Sequence, residues 1–162
     1  LLVVASLWVN AAGAGEAADR FRYDMKLKKC VNGRGEEGLN QPSKNERDSE
    51  CADYKGKLLM YLRGDDGNFR GANFDGAQFR YLNSVERADL TGAKLTNILG
   101  DMLDLGNANL SGADLANARL KPCQENRVGA CLTGARFDAR TILPFSREEA
   151  VARGMVAIDE KR

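Results

Sequence analysis

A five-residue repeat runs through most of this chain and constrains its fold more than any other feature. The stretch ANLSG ADLAN ARL, residues 108–120, shows the pattern: a small residue, a polar residue and then leucine. Side chains return to the same face about every 3.6 residues in a helix and every 2 or so in a strand. A persistent period of five therefore indicates a repeat architecture, in which each unit packs mainly against its neighbours.

The repeat extends from Ala52 to Pro144. Within these 93 residues we assign one extra residue, Arg87, and one seven-residue interruption, CQENRVG at 123–129. The rest divides into seventeen fives (93 − 1 − 7 = 85). The third residue of most fives is large and apolar, which predicts that it points into the core: Tyr54, Leu59, Phe69, Phe74, Phe79, Leu90, Leu95, Leu105, Leu110, Leu115, Leu120, Leu132, Phe137 and Ile142.

The first residue of each five is often alanine, which suits a crowded interior corner. Two inward positions in every five fit a chain that turns through about a right angle at each unit, so that four units make one coil. Successive coils would stack at about 4.8 Å, the spacing between β-strands, and about four coils would form a rod.

Three fives have a small third residue, and there we expect a large first residue to fill the core instead. The small residues are Gly64, Ser84 and Gly100, and their partners are Leu62, Leu82 and Ile98. Leu62, Leu82 and Leu103 recur once per coil when Arg87 is counted as the extra residue, which predicts one leucine column through three coils. A local register slip that centres a five on Leu62 is an open alternative.

The units ADLTG, ANFDG, ANLSG and ADLAN share the motif A(D/N)(L/F)xx, which resembles the signature of the pentapeptide repeat family over about 93 of the 162 residues. The resemblance implies an all-β fold, a right-handed quadrilateral β-helix. It also suggests an alternative function for this chain, that of a DNA-mimicking inhibitor of a type II topoisomerase. Such mimicry needs an acidic surface, whereas residues 52–144 contain 12 Lys or Arg and 11 Asp or Glu.

The N-terminal residues are typical of an export signal. An apolar run at 1–9 precedes the small residues Ala12, Gly13 and Ala14, a pattern that fits a signal-peptidase site. We expect residues 1–14 to be a signal peptide remnant, and a buried N-terminal strand or helix is the alternative. The apolar run is too short to span a bilayer, so no membrane insertion is expected after cleavage. The expected location is periplasmic, secreted or lumenal.

The four cysteines form two local pairs, Cys30 with Cys51 and Cys123 with Cys131. In an exported protein such pairs indicate disulfides, and a zinc site would show closer spacing or histidine. Three pairings are possible, of which this local one is the most economical, and free buried thiols are the alternative. We expect residues 15–51 to form an N-terminal cap and loop that the Cys30–Cys51 bridge tethers.

The C-terminal segment 145–162 is predicted to cap the solenoid, because open coil ends need covering. Ser146 and Glu149 form a capping-box pattern, and Gly154 is a suitable stop, which together predict a helix over 147–153. Phe145 could plug the end of the core. The alternative is a dimerisation helix, so the chain is expected to be a monomer or a homodimer through its C-terminal end.

No catalytic, cofactor or metal site is predicted. The chain contains no histidine, and its carboxylates are scattered along the repeat without a nucleophile–base pair. The net charge of +1 argues against a nucleic-acid partner. The sequence therefore favours a non-catalytic scaffold that binds an unknown protein.

One surface departs from the polar exterior expected of the repeat. When the coils are laid over one another, six outward apolar residues fall together: Leu58, Met60, Tyr61, Tyr81, Leu99 and Met102. Contiguous apolar patches often mark contact sites. The alternative, which the sequence slightly favours, is that Phe21, Tyr23, Met25 and Leu27 fold back to cover them.

The interruption 123–129 is a second candidate for recognition, because loops on rigid scaffolds often carry function. A short bulge closed by a disulfide is more often structural.

Overall fold

A computed structural model describes residues 20–42, 47–124 and 129–158. The expected signal peptide remnant, 1–14, lies outside the described residues. Short strands dominate the described chain, and their bounds are β1 Arg22–Asp24, β2 Lys29–Val31, β3 Leu58–Met60, β4 Gln78–Arg80, β5 Asn83–Ser84, β6 Leu99–Gly100, β7 Met102–Asp104, β8 Gly129–Cys131, β9 Arg136–Phe137 and β10 Val156–Ala157. The helix α1 spans Arg147–Ala152.

Strands from successive coils pair in parallel, so that each residue lies opposite its equivalent one coil later. Leu58 lies opposite Gln78, which lies opposite Leu99, and these contacts join β3, β4 and β6 into one sheet. Strands β5, β7 and β8 form a second sheet in the same way. Isolated parallel bridges, such as Asp53 to Asn73, continue the stacking between the named strands. The protein is a β-helix solenoid, as the five-residue period predicts.

The solenoid core consists of the first and third residues of the fives. Phe69, Phe74, Phe79 and Phe137 are fully buried, together with the leucines of the regular units. Tyr54 and Phe74 stack with ring centroids 4.8 Å apart. Alanines at the first position are also buried, which lets the backbone turn closely around the core.

The leucine column predicted from Leu62, Leu82 and Leu103 is wrong at its centre. Leu62 and Leu103 are buried, but Leu82 is 58% exposed and Asn83 takes the inward position. The Leu62 N–H donates to Asn83 Oδ1 at 3.0 Å, and Asn83 Nδ2 donates to the Arg80 carbonyl at 2.7 Å. Because these bonds satisfy backbone groups at the corner, the asparagine is held inside and the leucine is left outside.

The extra residue of the second coil therefore lies at Leu82 and not at Arg87. Met60 pairs with Arg80, whereas Arg63 pairs with Ser84, so the later coil has gained one position between these two contacts. The unit is NSVER, so the third residue is Val85, which is buried, and the assignment of Ser84 to that position is also wrong.

Ile142 is likewise outside the core, contrary to the prediction. It is exposed at the second position of its unit, opposite Asp114, whereas buried Thr141 takes the first position and partly buried Leu143 the third. A turn at residues 138–141 adds one residue, because Asn109 pairs with Arg136 whereas Asp114, one unit later, pairs with Ile142. Thr141 Oγ1 donates to the Leu110 carbonyl at 2.9 Å, which ties the turn to the coil beneath it.

The N-terminal segment forms an antiparallel hairpin, in which β1 pairs with β2. Its Cys30 is bonded to Cys51 of the first coil, with Cα atoms 5.9 Å apart. The coil register also extends to Asp48, which pairs with Asn68, one unit before the predicted start at Ala52.

The C-terminal segment covers the last coil. Ser146 is the N-cap of α1 and accepts a hydrogen bond from the Glu149 N–H, as the capping-box pattern predicts. Ala150 and Met155 are buried against the core, and Phe145 packs beside it. The strand β10 then pairs in parallel with β9. Within the described ranges, no helix is long and apolar enough to cross a membrane.

Candidate functional site

The fifth residues of the units form four columns along the solenoid, and nearly all have a left-handed backbone. Glycine and asparagine adopt this conformation at the lowest cost. The members with positive φ are Cys51, Gly71, Gly92 and Gly112 in one column, Gly56, Gly76, Asn97 and Asn117 in the next, Tyr61 and Tyr81 in the third, and Asp66, Arg87, Asn107 and Gly134 in the fourth.

Most of the bulky exceptions have a structural reason. Cys51 is in a disulfide. Arg87 Nε donates to Asp66 Oδ1 at 2.7 Å, so these two residues pair between coils. Tyr61 and Tyr81 stack on one another with ring centroids 5.2 Å apart and planes inclined by 13°. This stack lies on the surface, with the tyrosines 56% and 53% exposed.

The tyrosine stack is the centre of the apolar corner, which we define as Leu58, Met60, Tyr61, Tyr81, Leu99 and Met102. These six residues predicted from the sequence lie on β3, β6 and β7 and on the turns that follow β3 and β4. Leu58 and Met60 are exposed, and Leu99 and Met102 are half-buried. Exposed Leu82 adjoins the stack and enlarges the patch.

A shallow groove of about 530 Å³ runs beside the stack. Its walls are Leu58, Met60, Tyr81 and Met102 on the apolar side and Gln78 and Arg80 on the polar side. Arg80 is exposed and lies directly opposite Met60 in the parallel register. The groove therefore combines apolar walls with one cation at its edge, which suits a side chain of another molecule.

The N-terminal hairpin does not cover the apolar corner. The ring of Tyr23 lies over the column of Cys51, Gly71, Gly92 and Gly112, which we call the glycine column, and a Cβ added at Gly71 or Gly92 would meet the ring. Burial raises the pKa of the Tyr23 hydroxyl, and the nearby charge of Arg140 lowers it in part. Met25 and Leu27 are exposed. The alternative in which this segment covers the patch therefore fails for the described hairpin, because its anchor is the glycine column.

The perturbed carboxylates belong to the solenoid frame. Burial raises the pKa of Asp138, but hydrogen bonds from Arg140, Gly112 and Thr141 outweigh it and bring the value to about 2. Hydrogen bonds from Thr96 and Asn97, with the charges of two lysines, lower the pKa of Asp75 to about 2. Each carboxylate is held ionised by its partners, which is unsuited to proton transfer near neutral pH. Among the described residues, no cluster of three or more His, Cys, Asp or Glu side chains could hold a metal ion.

The loop candidate is only partly described, because residues 125–128 lie outside the described ranges. Cys123 and Cys131 are bonded, with Cα atoms 4.6 Å apart. Both disulfides thus follow the local pairing of the sequence.

Two members of the site are absent from the sequence prediction. Leu82 is missed because the assumed register places it inside the core. Arg80 is missed because a search for apolar residues does not select a charged one. The pair Asn83–Ser84 after Leu82 is a usable indication of the shift, since a polar residue can occupy a corner when it bonds the backbone.

The repeat matches a known family model over part of the chain. The family model described as pentapeptide repeats matches residues 66–97 and 103–124, in 8 copies. A solved structure of a pentapeptide repeat protein from the thylakoid lumen of Arabidopsis thaliana is similar at 27% identity, over 74% of this chain and 83% of that one, with a TM-score of 0.34. No curated protein matches the chain.

Proposed function

Since this chain is a pentapeptide repeat protein, we propose that it is a non-catalytic scaffold that binds a partner protein through the apolar corner. The observation that carries this proposal is the exposed stack of Tyr61 on Tyr81. It is a contiguous exposed aromatic patch, and aromatic residues are enriched where proteins contact one another.

The position of the two tyrosines supports a role in binding. A left-handed backbone costs a non-glycine residue about 1–2 kcal/mol, and the neighbouring columns mostly use glycine or asparagine at the equivalent corners. A stacked aromatic pair returns about 0.5–1.5 kcal/mol. The stack therefore offsets only part of the backbone cost of its two tyrosines, and a contact with another molecule accounts for its presence.

The finer architecture is part of the proposal. We infer a right-handed quadrilateral β-helix of about four coils that extends from residue 48, one unit before the predicted start, to residue 144, with an N-terminal cap before it and a C-terminal cap at 145–162. The four separate columns of fifth residues support a coil with four corners. Burial of Ala150, on α1, and of Met155 against the core supports a C-terminal cap, and we propose a monomer or a homodimer through that end.

We place the protein in an exported compartment, either periplasmic, secreted or lumenal. Both disulfides support this location, since such bonds persist in oxidising compartments. Alkylation of protein from its native compartment, with and without reductant, should show four protected thiols. Four thiols that react without reductant would contradict the location.

Site-specific photo-crosslinking tests the binding function. A photoreactive phenylalanine analogue at position 81 should crosslink one partner protein in the native compartment. The same analogue at the exposed Arg136, on a different side of the solenoid, is the matched control and should not crosslink that partner. Identical products from both positions, or no protein product from position 81, would overturn the proposal.

A further inference from the structure

We propose that the segment bound at the apolar corner is acidic, with apolar side chains that enter the groove beside Tyr81 and a carboxylate that pairs with Arg80. This inference rests on the proposed function and adds the chemistry of the partner. It follows from the charges around the groove and from the groove's shape.

Charged side chains around the apolar corner are mostly basic. Lys57, Arg80, Arg119 and Lys121 are exposed on the side of the solenoid formed by residues 57–61, 77–81, 98–102 and 118–122, and Asp101 is the one carboxylate within these described residues. Lys121 Nζ lies 3.3 Å from Asp101 Oδ1 and balances it. Four cations and one anion leave a local charge of +3 (4 − 1), whereas the whole chain carries +1. The side of the solenoid that carries the apolar patch is therefore net positive.

Arg80 is the cation best placed to select a partner. Arg70 and Arg87 pair with Asp89 and Asp66 on neighbouring coils. Within the described residues, Arg80 forms no ion pair, and it forms the polar edge of the groove. An exposed guanidinium can bind a carboxylate with two parallel hydrogen bonds, which gives direction as well as attraction.

The same charges disfavour a second copy of this chain as the occupant. In a two-fold contact the patch would face itself, and like charges would meet across the interface. The groove is concave and of a size to receive a side chain, with Leu58, Met60 and Met102 as its apolar walls. This shape favours a protein segment with an apolar anchor over a flat anionic surface such as a membrane.

Binding of short labelled peptides to the full chain tests the inference. One peptide alternates Glu with Leu and Phe, a second has Lys in place of Glu, and a third has Ser in place of the apolar residues. Fluorescence anisotropy should show about tenfold or greater preference for the first peptide over both others. Arg80→Glu should abolish the preference over the Lys peptide, and the control Arg136→Glu should retain it.

Equal affinity for the Glu and Lys peptides would overturn the inference, as would a preference unaffected by Arg80→Glu. Binding to vesicles with anionic lipid in the absence of peptide binding would also overturn it, in favour of a membrane. These outcomes are separate from the crosslinking test. If position 81 crosslinks its partner specifically and charge reversal at Arg80 has no effect, the proposed function stands and the acidic partner is wrong.

Discussion

Tyr61 and Tyr81, on successive coils, stack with ring centroids 5.2 Å apart while both adopt a left-handed backbone, with φ of 59° and 60°. The fold does not require tyrosine at these positions, because most equivalent corners of the other columns hold glycine or asparagine. The left-handed backbone at this corner therefore does not depend on the exposed tyrosine rings. Substitutions can remove the rings and leave the backbone conformation unchanged.

Replacing Tyr81 by asparagine should leave stability within about 1 kcal/mol of the parent, because lost stacking is offset by relief of the backbone cost. Tyr81→Val should destabilise by roughly 1–2 kcal/mol, since a β-branched residue is disfavoured at positive φ and cannot restore the stack. Urea unfolding measures both changes. A loss of more than about 3 kcal/mol for the asparagine variant would mean that the stack is structural.

Asn83→Leu should destabilise the solenoid although it makes the apolar pattern more regular. The substitution removes the acceptor for the Leu62 N–H and the donor to the Arg80 carbonyl, and a buried unpaired group costs about 1–3 kcal/mol. The adjacent Leu82→Asn is the control, and because Leu82 is exposed it should change stability by less than about 0.5 kcal/mol. The reverse order of effects in denaturant unfolding would contradict the register described here.

Gly92→Ala should displace the N-terminal hairpin. A Cβ at Gly92 would occupy the space of the Tyr23 ring, and φ there is +65°. Gly76→Ala is a matched control, because its φ is +69° but no atom lies within 4 Å of the added Cβ. Amide hydrogen exchange should accelerate in residues 22–31 for the first variant only. Equal acceleration in both variants would show that backbone strain, rather than the tyrosine contact, is responsible.

Acid should weaken the C-terminal part of the solenoid through Asp138. Its folded-state pKa of about 2 lies below the ordinary value of 3.8, so the stabilisation is complete above the ordinary value. It is lost as pH falls from about 4 to about 2. In Asp138→Asn, the urea midpoint should fall less over this range than in the parent. The same fall in both proteins would exclude Asp138 as its source.

The five-residue period is sufficient to predict the solenoid and most of its core, because a regular unit permits one backbone path. The single-residue insertions at Leu82 and within 138–141 are not predictable from apolarity. Asn83 and Thr141 are polar residues that occupy inward positions because they donate hydrogen bonds to backbone carbonyls. The carbonyl that Thr141 reaches belongs to another coil and comes within range only when the coils stack. The period does bring the six residues of the apolar corner to one side. The reason is that the assumed extra residue, Arg87, and the observed one, Leu82, both lie between Tyr81 and Leu99, so the error in register does not affect any of the six.

The position of the hairpin cannot be inferred from its own sequence. Tyr23 rests on Gly71 and Gly92, which belong to coils much later in the chain. The repeat motif permits glycine at any fifth position, so it does not show which glycine column receives the ring. The position of Arg80 at the edge of the groove cannot be predicted for a related reason, because residues of neighbouring coils form the groove together.

The central claim is that the apolar corner binds a partner protein and contributes little to the stability of the fold. Its most direct test is quantitative capture of the partner crosslinked from position 81, comparing the parent protein with Tyr81→Asn at equal folded concentration. We predict a stability unchanged within about 1 kcal/mol and at least about a tenfold loss of capture. Undiminished capture by the folded variant would contradict the account.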